Sequence, residues 1–211
     1  MLSKEDVGKG GHDRRVKGMV GRARRLPLRT VVIGAILVAV LGGFLAIVLI
    51  DRSQQAASEP PEGVESFGNL SRNHTQNPVS YDQTPPVGGD HNPVWQNAGF
   101  YEEAVPNEKA VHTMEHGAVW ITYSPDLPQD QKDKLRDIVK SQDCLLASPY
   151  ADLPAPVVAS AWGKQLKLDS ADDPRLEQFI SAFRKGPQTP EPNAPCTGAT
   201  EMNPPPQGGN K

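Results

Sequence analysis

The longest apolar run in the chain extends from Val31 to Ile50; it holds no charged residue and no polar side chain, and Asp51 and Arg52 end it abruptly. Twenty residues at about 1.5 Å rise cover about 30 Å, the thickness of a bilayer's hydrocarbon core. The pattern predicts a transmembrane helix over 30–50, because lipid offers no partner for backbone N–H and C=O groups. A cleaved signal peptide is the rival reading, but its apolar region would be only roughly 7–15 residues long. Ala56-Ala57-Ser58 offers a weak cleavage sequence.

After this run the pattern changes character twice. Residues 51–67 are polar and contain prolines, as in a stalk, and 68–93 show no sustained periodicity. Asn77-Pro78, Pro85-Pro86 and Gly88-Gly89 punctuate that stretch as turns and extended segments. Regular signals begin near Val111. Gly117-Ala118-Val119-Trp120-Ile121-Thr122-Tyr123 is β-branched and aromatic, which predicts a strand. Over Gln129–Ser141, Leu135, Ile138 and Val139 fall at i, i+3 and i+4 among charges, an amphipathic helix. Cys144–Ala147 and Val157–Ala161 are short apolar runs that read as strands, and alternation resumes over Gln165–Leu168. Pro174 suits the first turn of a last helix, whose apolar face carries Leu176, Phe179, Ile180 and Phe183.

The order β-α-β-β-β-α predicts an α+β class: one transmembrane helix followed by a small mixed sheet covered by two helices, with a loop-rich N-terminal half. The predicted organisation is a basic tail over 1–29, the helix over 30–50, the stalk over 51–67, an extracytoplasmic domain over 68–186, and a Pro- and Gly-rich tail over 187–211.

Charge sharpens this topology. Nine Lys or Arg against three acids make residues 1–29 net +6, and the whole chain's −3 leaves −9 for the rest. The positive-inside rule then places the N-terminus in the cytoplasm and the domain on the far side of the plasma membrane. The acidic remainder argues against nucleic acid as a ligand, since phosphate neutralisation needs clustered cations. The expected partners are the lipid bilayer and a protein of a membrane complex. The two cysteines, Cys144 and Cys196, permit one disulfide in an oxidising compartment; the alternative is that Cys144 is a buried small hydrophobe.

Four of the five histidines, His74, His91, His112 and His116, lie within 43 residues. His112 and His116 share one face on either a helix or a strand, and on a strand Met114 shares it too. Imidazole is the commonest metal ligand, and a thioether beside it favours copper over zinc. These residues therefore predict a site of His91, His112 and His116, completed by His74 or Met114, with Glu115 orienting a ligand histidine from behind. Ordinary packing roles for these histidines are the alternative. Glu115 is out of register for His-Glu-x-x-His, so a metalloprotease is disfavoured. No nucleophile elbow, haem signature or phosphate loop is present, and no catalytic residue is assigned.

Pro85-Pro86-x-Gly88-Gly89-x-His91-x-Pro93-x-Trp95, Gly99-x-Tyr101, Val111-His112-x-x-Glu115-His116-Gly117, Ser160-Ala161-Trp162-Gly163 and Pro190-Glu191 together resemble a bacterial family of membrane-anchored extracytoplasmic domains of unknown function. The resemblance covers about residues 65–200, and His-x-x-Glu-His-Gly is its most specific part. It implies that His91, Glu115 and His116 belong to a site common to the family. The chain departs at Ala98, where a Cys is expected in many relatives; that makes Cys144 the substitute partner for Cys196. The expected function is a membrane-tethered copper-binding module, with a non-enzymatic accessory or assembly subunit of an envelope or respiratory complex as the alternative.

Overall fold

The structure is a computed structural model that describes residues 32–33, 37–44 and 59–199. The chain divides into two compact units, residues 1–49 and 50–211. In the first, residues 32–33 and 37–44 are helical and their large apolar side chains are exposed.

The second unit is built on one six-stranded sheet. Its strands are β1 (Glu65–Ser66), β2 (Gly99–Phe100), β3 (Val119–Tyr123), β4 (Leu145–Pro149), β5 (Val157–Ala161) and β6 (Lys164–Leu168), and its helices are α1 (Asn107–Glu115), α2 (Gln129–Ser141) and α3 (Arg175–Phe183). The spatial order is β1-β6-β5-β3-β4-β2. β3 and β4 run parallel, with Val119 opposite Leu145, and α2 is the crossover between them. β2 adds parallel to β4, whereas β5 and β6 pair antiparallel through a two-residue connection, Trp162-Gly163.

β3 sits at the centre, and all five of its residues are buried. A strand's period of two sends alternate side chains to opposite faces. Val119, Ile121 and Tyr123 join Leu145, Ala147, Leu166 and Leu168 in one core, together with Leu135 and Val139 from α2 and Leu176, Phe179 and Ile180 from α3. Neither α2 nor α3 has a side-chain cap hydrogen bond. Burial of each Leu, Ile or Phe contributes about 1.5–3 kcal/mol, so packing holds these helices in place. On the other face, Trp120 and Leu146 join Tyr101, Val105, Trp162 and three residues of α1, Ala110, Val111 and Met114.

The architecture corrects the fold expected from sequence in three respects. The sheet has six strands, because β1 and β2 are two residues each, too short to leave a periodic signal. A third helix, α1, covers the second face; its buried residues include His112, Thr113 and Glu115, so apolar periodicity does not reveal it. Finally, no helix among the described residues is long and apolar enough to cross a membrane. The helical stretch 37–44 spans about 12 Å, against a core of about 30 Å. The rest of the expected 30–50 helix, except 32–33, lies outside the described residues, as do the basic tail 1–29 and positions 51–58 of the stalk.

Cys144 and Cys196 are joined in a disulfide. It packs with Ala118 and Ala98, the position where the family resemblance led us to expect a cysteine. Residues 187–199 do not trail away from the domain. Glu191 N–H donates to Glu115 O and Ala98 N–H to Cys196 O, and just ahead of the segment Lys185 N–H donates to Gly117 O, so the segment passes the end of α1.

Candidate metal centre

α1 follows Pro106, whose carbonyl accepts from the Lys109 and Ala110 amides. Its stop is sharper than its start. Gly117 has φ +99°, and the Gly117 amide bonds to Met114 O while the Ala118 amide bonds to Thr113 O. That is a Schellman ending with a glycine in the left-handed position. A Cβ on Gly117 would also lie 3.0 Å from Lys185 Cα. The glycine therefore ends the helix directly after His116 and lets the following chain enter β3.

The helix places His112, Glu115 and His116 on one face, at i, i+3 and i+4. Met114, two positions from His112, is rotated by about 200° and is fully buried in the apolar cluster with Trp120. The structure thus separates Met114 from the histidines, because 112–116 is helical and not extended.

Residues 92–97 run along α1. Gln96 N–H donates to Thr113 Oγ1, and Thr113 Oγ1 donates to Gln96 O. This clamp brings the Asn92 carbonyl to His112 and sets the Trp95 ring, tilted by 57° to both imidazoles, 5.7 Å from His112 and 5.0 Å from His116. His91 and His74 meet through a parallel bridge: Thr75 N–H donates to His91 O and His91 N–H to Asn73 O.

Four side chains converge: His74, His91, His112 and Glu115 each offer a ligand atom, all within 4.8 Å of one another. His91, His112 and Glu115 are buried, and the His74 side chain is 50% exposed, so the cluster opens to solvent on one side only. Donors around an ion at about 2.1 Å lie about 3.4 Å apart in a tetrahedron, so the cluster closes on an ion with small side-chain movements. Glu115 is one of the converging groups itself: its Oε2 is 2.8 Å from His91 Nε2 and 3.8 Å from His74 Nε2. His116 sits beside the cluster, its Nε2 2.9 Å from His112 Nε2 and 3.7 Å from Glu191 Oε2.

Proton positions follow from the acceptors. A carbonyl can only accept, so a ring nitrogen bonded to one must carry the hydrogen. His91 Nδ1 bonds to Gly89 O at 2.8 Å, His112 Nδ1 to Asn92 O at 2.6 Å, and His116 Nδ1 to Pro195 O at 2.8 Å. In the neutral rings all three Nε2 atoms are therefore bare lone pairs. Burial, reinforced by the nearby imidazoles of His116, His91 and His74, pushes the His112 pKa down to about 4 despite its bond to Asn92 O, so this ring is neutral at pH 7. His91 Nε2 faces the carboxylate at 2.8 Å without the alignment of a hydrogen bond and is a buried polar atom with no such partner. Such an arrangement can take up a cation: lone pairs converge beside a buried carboxylate, and each ring is held by a backbone carbonyl behind it.

Sequence reasoning did not reach Glu191 or the three anchoring carbonyls. Glu191 stood only within the Pro190-Glu191 pair of the family resemblance, and backbone acceptors carry no side-chain signature. No curated protein and no solved structure matches the chain. Residues 73–198, which contain every side chain of this cluster, match a family model described as "Protein of unknown function (DUF3105)", and the chain belongs to that family.

Proposed function

We propose that the domain binds a divalent transition-metal ion through His74, His91, His112 and Glu115. The observation that carries this reading is the tautomer pattern: backbone carbonyls fix Nδ1–H on His91 and His112, so both Nε2 lone pairs remain available beside a buried carboxylate. Nitrogen and carboxylate donors suit zinc and copper(II), and the Irving–Williams order ranks copper(II) the tighter of the two. The thioether of Met114, part of the sequence argument for copper, lies in the apolar core and contributes nothing to the choice. The disulfide supports placing the domain in an oxidising, extracytoplasmic compartment, where a metal-holding module serves homeostasis or delivery to a membrane complex.

The test is metal content and affinity of the purified full chain after chelation and reloading with zinc or copper(II). Wild type should retain at least one ion per chain, and His91→Ala with Glu115→Gln should lose it. Negligible retention by wild type, or equal retention by the double variant, removes the reading.

A further inference from the structure

The four converging side chains leave His116 and Glu191 unused, and these two carry a second inference, which rests on the metal-binding reading above. We propose that His112, His116 and Glu191 form a second transition-metal position, adjacent to a first one held by His74, His91 and Glu115.

The geometry around His116 supplies the argument. His112 Nε2 and His116 Nε2 lie 2.9 Å apart, and both rings direct Nδ1–H to a carbonyl, of Asn92 and of Pro195 respectively. With Nδ1–H so engaged on both rings, the two Nε2 atoms face each other at a separation that a shared proton or a metal ion between them would bridge. For an ion at about 2.1 Å, a 2.9 Å separation corresponds to neighbouring ligands at about 90°. Glu191 Oε2 is 3.7 Å from His116 Nε2, beyond the edge of about 3.4 Å of a tetrahedral shell, so the half-exposed carboxylate swings inward to complete the position.

The surroundings are built to hold these groups in place. His116 is buried, and the Trp95 ring packs against both imidazoles. Glu191 is delivered by its own amide, which donates to Glu115 O, and the Cys144–Cys196 bond ties down the segment that carries Glu191 and the Pro195 carbonyl. Each position then has one carboxylate, Glu115 or Glu191, to offset the charge of its ion. Glu191 and His74 are the half-exposed members, which gives each position its own route to solvent. Paired ions about 3.5–4 Å apart are a recurrent arrangement in which three protein ligands per ion leave sites open for water or an oxyanion. His112 faces both positions; one ion alone draws it inward, and two ions turn it toward His116.

Calorimetric titration of the chelated full chain with zinc chloride tests this. Wild type should take up two zinc ions. His116→Asn and Glu191→Gln should each reduce that to one, and His74→Asn should weaken the other step by at least 10-fold. Glu191 is an exposed side chain, so its variant keeps the fold even where His116→Asn does not, and circular dichroism checks both. A wild-type stoichiometry of one, or two ions still bound by Glu191→Gln, overturns the second position. No binding by wild type removes the first position as well, which keeps the two failures distinct.

Discussion

Replacing Glu115 with Gln should make the metal-free protein more stable while reducing the stabilisation it gains from metal. The Glu115 side chain is only 4% exposed, and its Oε2 faces His91 Nε2 at 2.8 Å. With the His91 proton on Nδ1, where Gly89 O accepts it, that contact sets a lone pair against a carboxylate. A buried acceptor left without a donor costs about 1–3 kcal/mol. The amide of Gln occupies the same volume, carries no charge and donates N–H to the bare nitrogen, so metal-free Glu115→Gln should gain about 1–3 kcal/mol. For a domain of this size that is a rise in Tm of about 2–4 °C per kcal/mol. With metal at 100 times its Kd, wild type should gain about 2.7 kcal/mol by mass action. The variant should lose the share supplied by the first position, having lost the only anionic donor there, and keep the share supplied by the second. The assay is calorimetric melting of both proteins in chelator and in excess zinc. A metal-free variant that melts well below wild type would refute the reasoning, since it would mean that an imidazolium already neutralises the carboxylate. A variant stabilised by zinc as fully as wild type would remove Glu115 from the ligand set.

Three further outcomes follow from other parts of the molecule. Cys144→Ala with Cys196→Ala opens a link between residues 52 apart, and the chain-entropy model gives a loss of about 4 kcal/mol, measurable by urea unfolding. The depressed pKa of His112, about 4 against 6.5, makes the unfolded chain bind more protons between those values. Its contribution to stability is therefore complete above about pH 6.5 and is lost as pH falls toward 4, with a slope of up to about 1.4 kcal/mol per pH unit. Metal-free wild type and His112→Gln should show stability–pH curves that diverge in that window; parallel curves would contradict the assignment. Gly117→Ala places a side chain at φ +99° and 3.0 Å from Lys185 Cα, and should cost about 1–3 kcal/mol and weaken zinc binding by shifting His116.

The centre of the fold was legible because its signals are local. Val119–Tyr123 is a run of strand-forming residues, and Leu135, Ile138 and Val139 mark a helical stripe whatever lies beside them. α1 was not legible, since half of the residues it buries are a histidine, a threonine and a glutamate, whose burial makes sense only once their partners are known. The candidate site divides along the same line. The four-residue spacing of His112 and His116 announced convergence under either secondary structure. Whether Met114 joined them depended on the choice between helix and strand, which nothing in Val-His-Thr-Met-Glu-His decides. Glu191 was hidden for a different reason. Its place is set by a backbone bond to Glu115 O across a Pro-rich segment with no periodicity, and its relation to His116 exists only in three dimensions.

The bond from His116 Nδ1 to Pro195 O closes over 79 residues, and the converging imidazoles come from three separate stretches of chain, at His74, at His91 and on α1. Contacts of such long range form late, because chain closure must precede them. An ion held there would meet its full set of ligands only after β3, α1 and the 187–199 segment had docked. It would leave the folding rate almost unchanged and slow unfolding, acting as a latch on the finished domain in place of a nucleus for it.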